Sequence, residues 1–501
     1  MTRRATLIAS LTESPSEHEL AVLSNRADWL EVRADLLPAL GPQGVDWPER
    51  VHWLRKHFSG KLLFTLRSCA EGGASDLNSV DRGRLLSAAA AKFDLIDLEG
   101  ATDLTPQLLA EIPADRRLIS WHGPAVRQTE LSSRLDDFLE HSACYYKLVP
   151  AADKPQESLI PLALLHSRQR DDVIAFASGL NGSWTRLIAP RIGAPVVFGG
   201  ASALPAAPGQ ISIERLRADF GMPNIPAISD LFGIVGDPVE HSLSPLLHNS
   251  AYRELGIPAL YLPFHVERFG DFWLDIVDSG SLEVLGFNLR GLSITAPHKR
   301  IAAAVAGARS PRAEHIGSAN TLVRAGRVWE ADTTDSAGIL EPLLSRQVTI
   351  ENRVAAVVGA GGAGRAAAFA LTTTGANVTL VNRGVERGRR VARELELPFL
   401  PLGDLVPGDF DLLVNATSLG RRQNDTLPFD LREVGPSCII VDLVYLEGRP
   451  TALVSQARRQ GLLAIDGREV LLEQALPQFQ AMTGRKMPRR VIESVLGLGE
   501  D

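Results

Sequence analysis

Short apolar runs, each followed by a polar or helix-forming stretch, fill the chain up to Phe220, and this rhythm constrains the fold more than any other feature. The runs read as strands at Thr6–Leu11, Trp29–Ala34, Leu62–Arg67, Leu95–Leu98, Leu118–Trp121, Cys144–Val149, Val173–Ala177 and Pro195–Phe198. Eight strands alternating with helices fit a (β/α)₈ (TIM) barrel; an open doubly wound sheet is the alternative. The placement of polar chemistry favours the barrel. Glu31, Arg33, Arg67, His122 and Lys147 fall at or beside the C-terminal ends of the runs, where such a barrel gathers its active site.

The rhythm breaks over Gly221–Asp230, a Pro/Gly/Asn-rich stretch that reads as a linker. Leu231–Val235 is a fresh strand and opens an α/β segment reaching about Gly338. A second unit starts with the wholly apolar strand Val354–Val358, which runs into the turn Gly359-Ala360-Gly361-Gly362-Ala363-Gly364 and an alanine-rich helix. Strands at Asn377–Val381, Leu412–Asn415 and Ile439–Leu443, with a helix at Glu386–Leu395, continue a doubly wound (Rossmann) nucleotide fold. Glu469 to Gly484 reads as a closing helix. The expected division of this α/β chain is residues 1–222 (barrel), 230–338 (first lobe), 339–468 (nucleotide-binding domain) and 469–501 (helical segment packing on the first lobe).

Gly359, Gly361 and Gly364 form G-x-G-x-x-G between a buried strand and a helix, so backbone can approach a pyrophosphate at the helix N-terminus. The next strand ends in Asn382-Arg383, with Arg387 one turn on. Two guanidiniums and no carboxylate fit a 2′-phosphate and predict NADP over NAD; the alternative is a solvated helix start.

Composition excludes other classes. Hydrophobic residues make up 45% and charged residues 22% of 501, as in packed globular proteins. The net charge of -7, from 59 acidic against 52 basic residues, is well mixed, and no basic block offers a footprint for nucleic acid. Cys69, Cys144 and Cys438 form neither a disulfide framework nor a zinc spacing, so no metal is expected and a reducing compartment is. No run of about 18 apolar residues exists to span a membrane. The opening MTRRATLIASLTESPSE lacks the apolar length and cleavage site of a signal peptide. A soluble, cytoplasmic protein is expected; the sequence assigns no oligomeric state.

From Gly233-Ile-Val-Gly-Asp-Pro-Val-Glu-His-Ser-Leu-Ser onward, motifs follow in order: ITAPHK (Ile294–Lys299), SANTL (Ser318–Leu322), TTDSAG (Thr333–Gly338), the glycine turn, VNR, VNATSLG (Val414–Gly420), VDLVY (Val441–Tyr445), and DG followed by Gln474. This series resembles the shikimate dehydrogenases across residues 231–495. The resemblance implies NADPH-dependent reduction of 3-dehydroshikimate to shikimate, with Lys299 and Asp335 as the catalytic pair. An ammonium beside a carboxylate can supply a proton to the developing alkoxide. It also implies Ser242 and Ser244 on the substrate carboxylate, Thr295, Asn320, Tyr445 and Gln474 on ring hydroxyls, and Thr417 and Gly467 at the cofactor. Ser293, Thr333, Gly384 and Arg421 depart from the usual asparagine, asparagine, threonine and methionine.

In the first half, E-V-R (Glu31, Arg33), TLRSCAEGG (Arg67, Glu71), SWH (His122), YYKL (Lys147), TR (Arg186) and APGQ (Gln210) resemble the type I 3-dehydroquinate dehydratases over residues 5–220. Joined to a shikimate dehydrogenase, the arrangement is similar to the plant-type fused enzymes, although no extended transit segment precedes the barrel and no plastid address is expected. The resemblance implies a Schiff base at Lys147, whose pKa falls among buried cations. His122 is then the proton carrier, oriented by Glu71. Arg186 takes the substrate carboxylate; Glu31, Arg33 and Arg67 hold hydroxyls, with Gln210 also at the substrate. Ala206 stands where serine is frequent before APGQ, which would remove one lid contact.

Two other functions fit parts of the pattern. The second half could prefer quinate, against which Ser244 argues. A non-catalytic regulator binding the same intermediates should lack the nucleophiles, yet Lys147, His122, Lys299 and Asp335 are all present.

Overall fold

The computed structural model describes residues 3–499 apart from 203–206, 208 and 423, so Ala206 lies outside the described residues. Eight strands open the chain: β1 (Thr6–Leu11), β2 (Trp29–Arg33), β3 (Lys61–Thr65), β4 (Leu95–Glu99), β5 (Arg117–Gly123), β6 (Tyr145–Pro150), β7 (Val173–Ala175) and β8 (Val196–Gly200). They are parallel and pair in the order β7-β6-β5-β4-β3-β2-β1-β8. Because β1 pairs with both β2 and β8, the sheet curls into a barrel, hydrogen-bonded all round except between β7 and β8 among the described residues. An open doubly wound sheet would not bring the first and last strands together.

The strands are apolar because helices cover their outer faces. The helix Gln128–Leu139, for example, buries Leu131, Leu135 and Phe138, one stripe at helical spacing. The buried polar residues of the strands gather towards their carboxyl ends. Register pairs Ser10 with Glu31, Arg33 with Thr65, Glu99 with Ser120, and Ser120 with Lys147. The linker returns beneath the barrel, where Asn224–Ile225 pairs antiparallel with Arg3–Arg4.

Beyond the linker, β9 (Asp230–Gly236), β10 (Asn288–Ile294), β11 (Thr321–Ala325) and β12 (Val328–Asp332) lie in that order in a second sheet, with Ala308–Arg309 beside β12. The β10-β11 and β11-β12 pairs are antiparallel. A third sheet holds β13 (Val354–Val358), β14 (Asn377–Asn382), β15 (Phe399–Pro401), β16 (Leu412–Asn415), β17 (Ile439–Asp442) and β18 (Ala464–Ile465). All are parallel, in the order β15-β14-β13-β16-β17-β18. This doubly wound arrangement places its ligand crevice beyond the carboxyl ends of β13 and β16, where the strand order reverses.

By contacts the chain forms two compact units: residues up to Leu231 with Pro258–Leu289, and Phe232–Ile257 with the chain from Arg290 onward. The stretch 230–338 contributes to both. Within the second unit, the closing helix Gly467–Thr483 starts at a capping box, Asp466 with Glu469. Its Gln478 accepts from the Ser293 hydroxyl at 2.6 Å and donates to the Asn320 carbonyl at 3.0 Å, tying the helix to β10 and the turn before β11.

Candidate active sites

At the C-terminal end of the barrel a cavity of about 90 Å³ is lined by Glu31, Arg33, Arg67, Glu71, His122, Lys147, Arg186 and Gln210, every barrel residue the sequence singles out. Lys147 points inward from the middle of β6, 5% exposed, with Nζ 3.9 Å from the centroid of the Phe198 ring. Burial lowers its pKa from 10.5 to about 8; Glu31 and Asp97 pull the other way, while Arg67 and Arg33 lower it further. The His122 ring is likewise held well below its ordinary value, by burial first and then by Arg67, Lys147, Arg33 and Arg186. Its Nδ1 lies 3.3 Å from Glu71 Oε2, and the same oxygen accepts the His122 backbone N–H at 2.9 Å. Glu71 fixes ring and strand together. Burial raises the Glu71 pKa to about 7 despite Arg67 alongside.

The three arginines differ in their partners. Arg33 forks onto Asp35 at 2.8 and 2.7 Å. Arg67 donates to Asp97 at 2.7 Å, Glu71 at 2.8 Å, Ser120 at 3.0 Å and Glu99 at 3.2 Å. Arg186 has no ion pair among the described residues. Its guanidinium lies over the Phe176 ring at 4.3 Å, its buried Nε has no hydrogen-bond partner, and burial lowers its pKa to about 10. A desolvated cation that feels Glu31 but is paired with no carboxylate, facing a cavity, suits a carboxylate ligand. Glu31 accepts from Ser10 at 2.5 Å and Thr65 at 2.9 Å. Ser10, Asp97 and Glu99 were missed in the sequence, although Asp97 and Glu99 stand two apart on β4, the period of one strand face.

The second unit holds a cavity of about 490 Å³. Lining it are Ser244, Thr295, Lys299, Asn320, Asp335, Tyr445 and Gln474 on one side and Gly361, Gly362, Ala363, Arg387, Thr417 and Gly467 on the other. Lys299 Nζ donates to Asp335 Oδ2 at 2.5 Å, and the Asn320 amide donates to the other carboxylate oxygen at 2.7 Å. Asn320 Oδ1 accepts the Thr334 N–H at 2.9 Å and the Thr321 hydroxyl at 2.7 Å, which fixes the amide's orientation and so aims Asp335 at the lysine. Ser242 is not among the lining residues; its hydroxyl accepts the Ser244 backbone N–H at 3.2 Å, at the start of the helix Ser244–Leu255. Gln478 and Ser293 also line the cavity. Gln478 sits one helical turn after Gln474, a spacing that marks it in sequence.

Gly359, Ala360, Gly364, Asn382 and Arg383 stand outside the lining and shape or flank it. Gly359 has φ +121, a conformation open to glycine alone, and a Cβ on Gly364 would strike the Gly359 carbonyl. The Ala360 N–H donates to Asn382 Oδ1 at 3.0 Å, and the Asn382 amide donates to the Gly384 carbonyl at 2.8 Å, so Asn382 ties the glycine turn to the end of β14. A Cβ on Gly361 would meet nothing within 4 Å, leaving the turn open towards the cavity at the first N–H groups of the helix Gly362–Thr373. Arg383 and Arg387 are exposed and make no ion pair among the described residues. A pyrophosphate at the turn and a phosphate at these arginines fit this cradle. Thr417 donates to Asn415, which donates in turn to Asp442 at 2.9 Å; burial raises the Asp442 pKa to about 6. Among the described residues no helix is long and apolar enough to cross a membrane, and no cluster of three His, Cys, Asp or Glu side chains could hold a metal.

Fold and sites define two enzymes on one chain: a barrel with a buried, neutralisable amine, and a dinucleotide-dependent oxidoreductase with a lysine–aspartate pair. Residues 6–223 match the family described as Type I 3-dehydroquinase, and residues 234–322 match the Shikimate dehydrogenase substrate binding domain. Shikimate dehydrogenase (NADP(+)) of Syntrophobacter fumaroxidans is 35% identical, covering 52% of this chain and 90% of that protein. The namesake enzyme of Maricaulis maris is 37% identical, covering 51% and 91%. The bifunctional 3-dehydroquinate dehydratase/shikimate dehydrogenase, chloroplastic, of Arabidopsis thaliana is 27% identical across 97% of this chain and 81% of its own length. The chain belongs to the shikimate dehydrogenase family and carries a type I 3-dehydroquinase ahead of that unit.

Proposed function

We propose that the chain catalyses two consecutive steps, dehydration of 3-dehydroquinate to 3-dehydroshikimate in the barrel and reduction of that product to shikimate with NADPH in the second unit. The observation that carries this reading is the pairing of a buried Lys147 beside the His122–Glu71 dyad with a separate Lys299–Asp335 pair facing a glycine turn.

In the barrel, the neutral Lys147 amine adds to the substrate ketone and, with loss of water, forms an iminium that acidifies the adjacent C–H. His122, kept neutral by its cationic surroundings, removes that proton and returns it to the departing hydroxyl. Elimination gives the conjugated iminium, and its hydrolysis releases the enone and frees Lys147. Arg186 holds the substrate carboxylate; Glu31, Arg33, Arg67 and Gln210 hold its hydroxyls.

In the second unit the bound cofactor supplies hydride. Ser242 and Ser244 hold the substrate carboxylate, and Thr295, Asn320, Tyr445 and Gln474 the ring hydroxyls. Lys299 donates the proton to the developing alkoxide, and Asp335 holds the ammonium in place and lowers the cost of burying its charge. Arg383 and Arg387 take the 2′-phosphate, and the glycine turn with Thr417 and Gly467 takes the remainder of the cofactor. The functional parts are accordingly residues 1–222, 230–338, 339–468 and 469–501. Three cysteines, all free, support a reducing compartment, the cytoplasm.

The test is one reaction mixture: 3-dehydroquinate, NADPH and the purified chain, with products identified by chromatography. Shikimate with stoichiometric NADPH oxidation is the expected outcome. Accumulation of 3-dehydroshikimate without reduction, or no dehydration at all, overturns the corresponding half.

A further inference from the structure

Four cations line the 490 Å³ cavity, Lys299, Arg300, Arg387 and Arg421, against one carboxylate, Asp335. Lys299 and Asp335 neutralise each other at 2.5 Å. The three guanidiniums are exposed and make no ion pair or side-chain hydrogen bond among the described residues. Elsewhere on the chain arginines commonly find carboxylates, as Arg365 does with Glu394. Arg387 has a ligand in the reading above. Arg300 does not, although it follows Lys299 in the helix Lys299–Val305.

Two observations place Arg300 at the glycine turn. The Lys299 side chain lies 2.8 Å from where a Cβ on Gly362 would sit, so this helix begins against the start of the helix Gly362–Thr373. Arg300 also acts on Glu394, the carboxylate that Arg365 engages from the first turn of that second helix. With Glu394 already occupied by Arg365, Arg300 is left facing the cavity beside Gly361, Gly362 and Ala363. The anion due there is a pyrophosphate carrying about two negative charges. Backbone N–H groups alone offset it only in part, whereas a guanidinium adds charge and paired donors.

We propose that Arg300 binds the pyrophosphate of the dinucleotide, making the residue after the catalytic lysine a cofactor ligand. The proposal rests on the NADP reading of this cavity. It implies that cofactor binding pins the helix that carries Lys299, so occupancy of one half of the cavity steadies the proton donor of the other.

The test is equilibrium binding to the full chain, by fluorescence for NADPH and by calorimetry for 2′-phospho-ADP-ribose and adenosine 2′-phosphate, which lacks the pyrophosphate. Arg300→Ala should weaken NADPH and 2′-phospho-ADP-ribose about 10- to 100-fold and leave adenosine 2′-phosphate within about twofold. Arg300→Lys should fall between. Arg387→Ala should weaken all three. Thermal unfolding of the second unit, followed by circular dichroism on the full chain, reports folding, and Arg300→Gln carries the test if the alanine variant fails to fold. Unchanged affinity for the two pyrophosphate ligands overturns the proposal, and so does an equal loss for adenosine 2′-phosphate. Failure of the wild-type chain to bind NADPH would instead overturn the cofactor reading beneath it.

Discussion

Burial makes Lys147 a nucleophile and burdens the barrel with it. With a pKa of about 8, roughly a tenth of the amine is neutral at pH 7, against less than about one part in a thousand for an exposed lysine. The sign follows from proton binding. Below about pH 8 both folded and unfolded chains hold this proton, and the buried ammonium destabilises the fold by up to about 3 kcal/mol; the cost is relieved as pH rises from about 8 to 10.5, where only the unfolded chain keeps the proton. Dehydratase kcat/KM should therefore rise with pH towards a plateau above about 8. Lys147→Met should abolish dehydration while raising the unfolding temperature at pH 7; a lowered temperature would show that Glu31 and Asp97 more than offset the burial. Glu71 supports the base beside it. Glu71→Gln should cut dehydratase kcat about 10- to 100-fold, leave 3-dehydroshikimate reduction unchanged, and remove from the pH profile the ionisation near 7. A profile that keeps this ionisation would assign it to another group.

At the scale of elements, the glycine turn is decided by a few close approaches. Gly359 needs its positive φ, and Gly364 must lie against the Gly359 carbonyl for the helix to start where its N–H groups face the cavity. Gly364→Ala forces these two segments apart and should abolish NADPH binding measured by fluorescence, with dehydratase activity intact. NADPH affinity within threefold of wild type would mean that the turn absorbs a methyl group without moving its N–H donors. The strand ends of the barrel work differently. They aim single side chains, so β6 delivers Lys147 and β5 delivers His122 to one cavity although 25 residues separate them.

For the whole molecule, each cavity draws all its described lining residues from one compact unit. Neither borrows a side chain from the other. Lys147→Met should thus lose dehydration and keep reduction of added 3-dehydroshikimate, and Lys299→Ala the reverse. An equimolar mixture of the two variants should convert 3-dehydroquinate to shikimate, because the intermediate can diffuse between molecules. Loss of both activities from either folded variant would reveal a composite site.

The strand rhythm, the glycine turn and the residue types at the strand ends are legible in the amino-acid sequence, since they follow from local periodicity and from turns that admit only glycine. The sequence also marks eight of the residues that line the 90 Å³ cavity, though not Ser10 or Thr65 beside them. Which groups surround them depends on how the elements fold together. Arg67 is ringed by Asp97, Glu71 and Glu99, Arg186 makes no ion pair among the described residues, and Arg300 stands beside a turn some sixty residues further along the chain. Such pairings depend on which elements meet in space. A charge buried at 5% exposure takes its proton affinity from neighbours that no local pattern names.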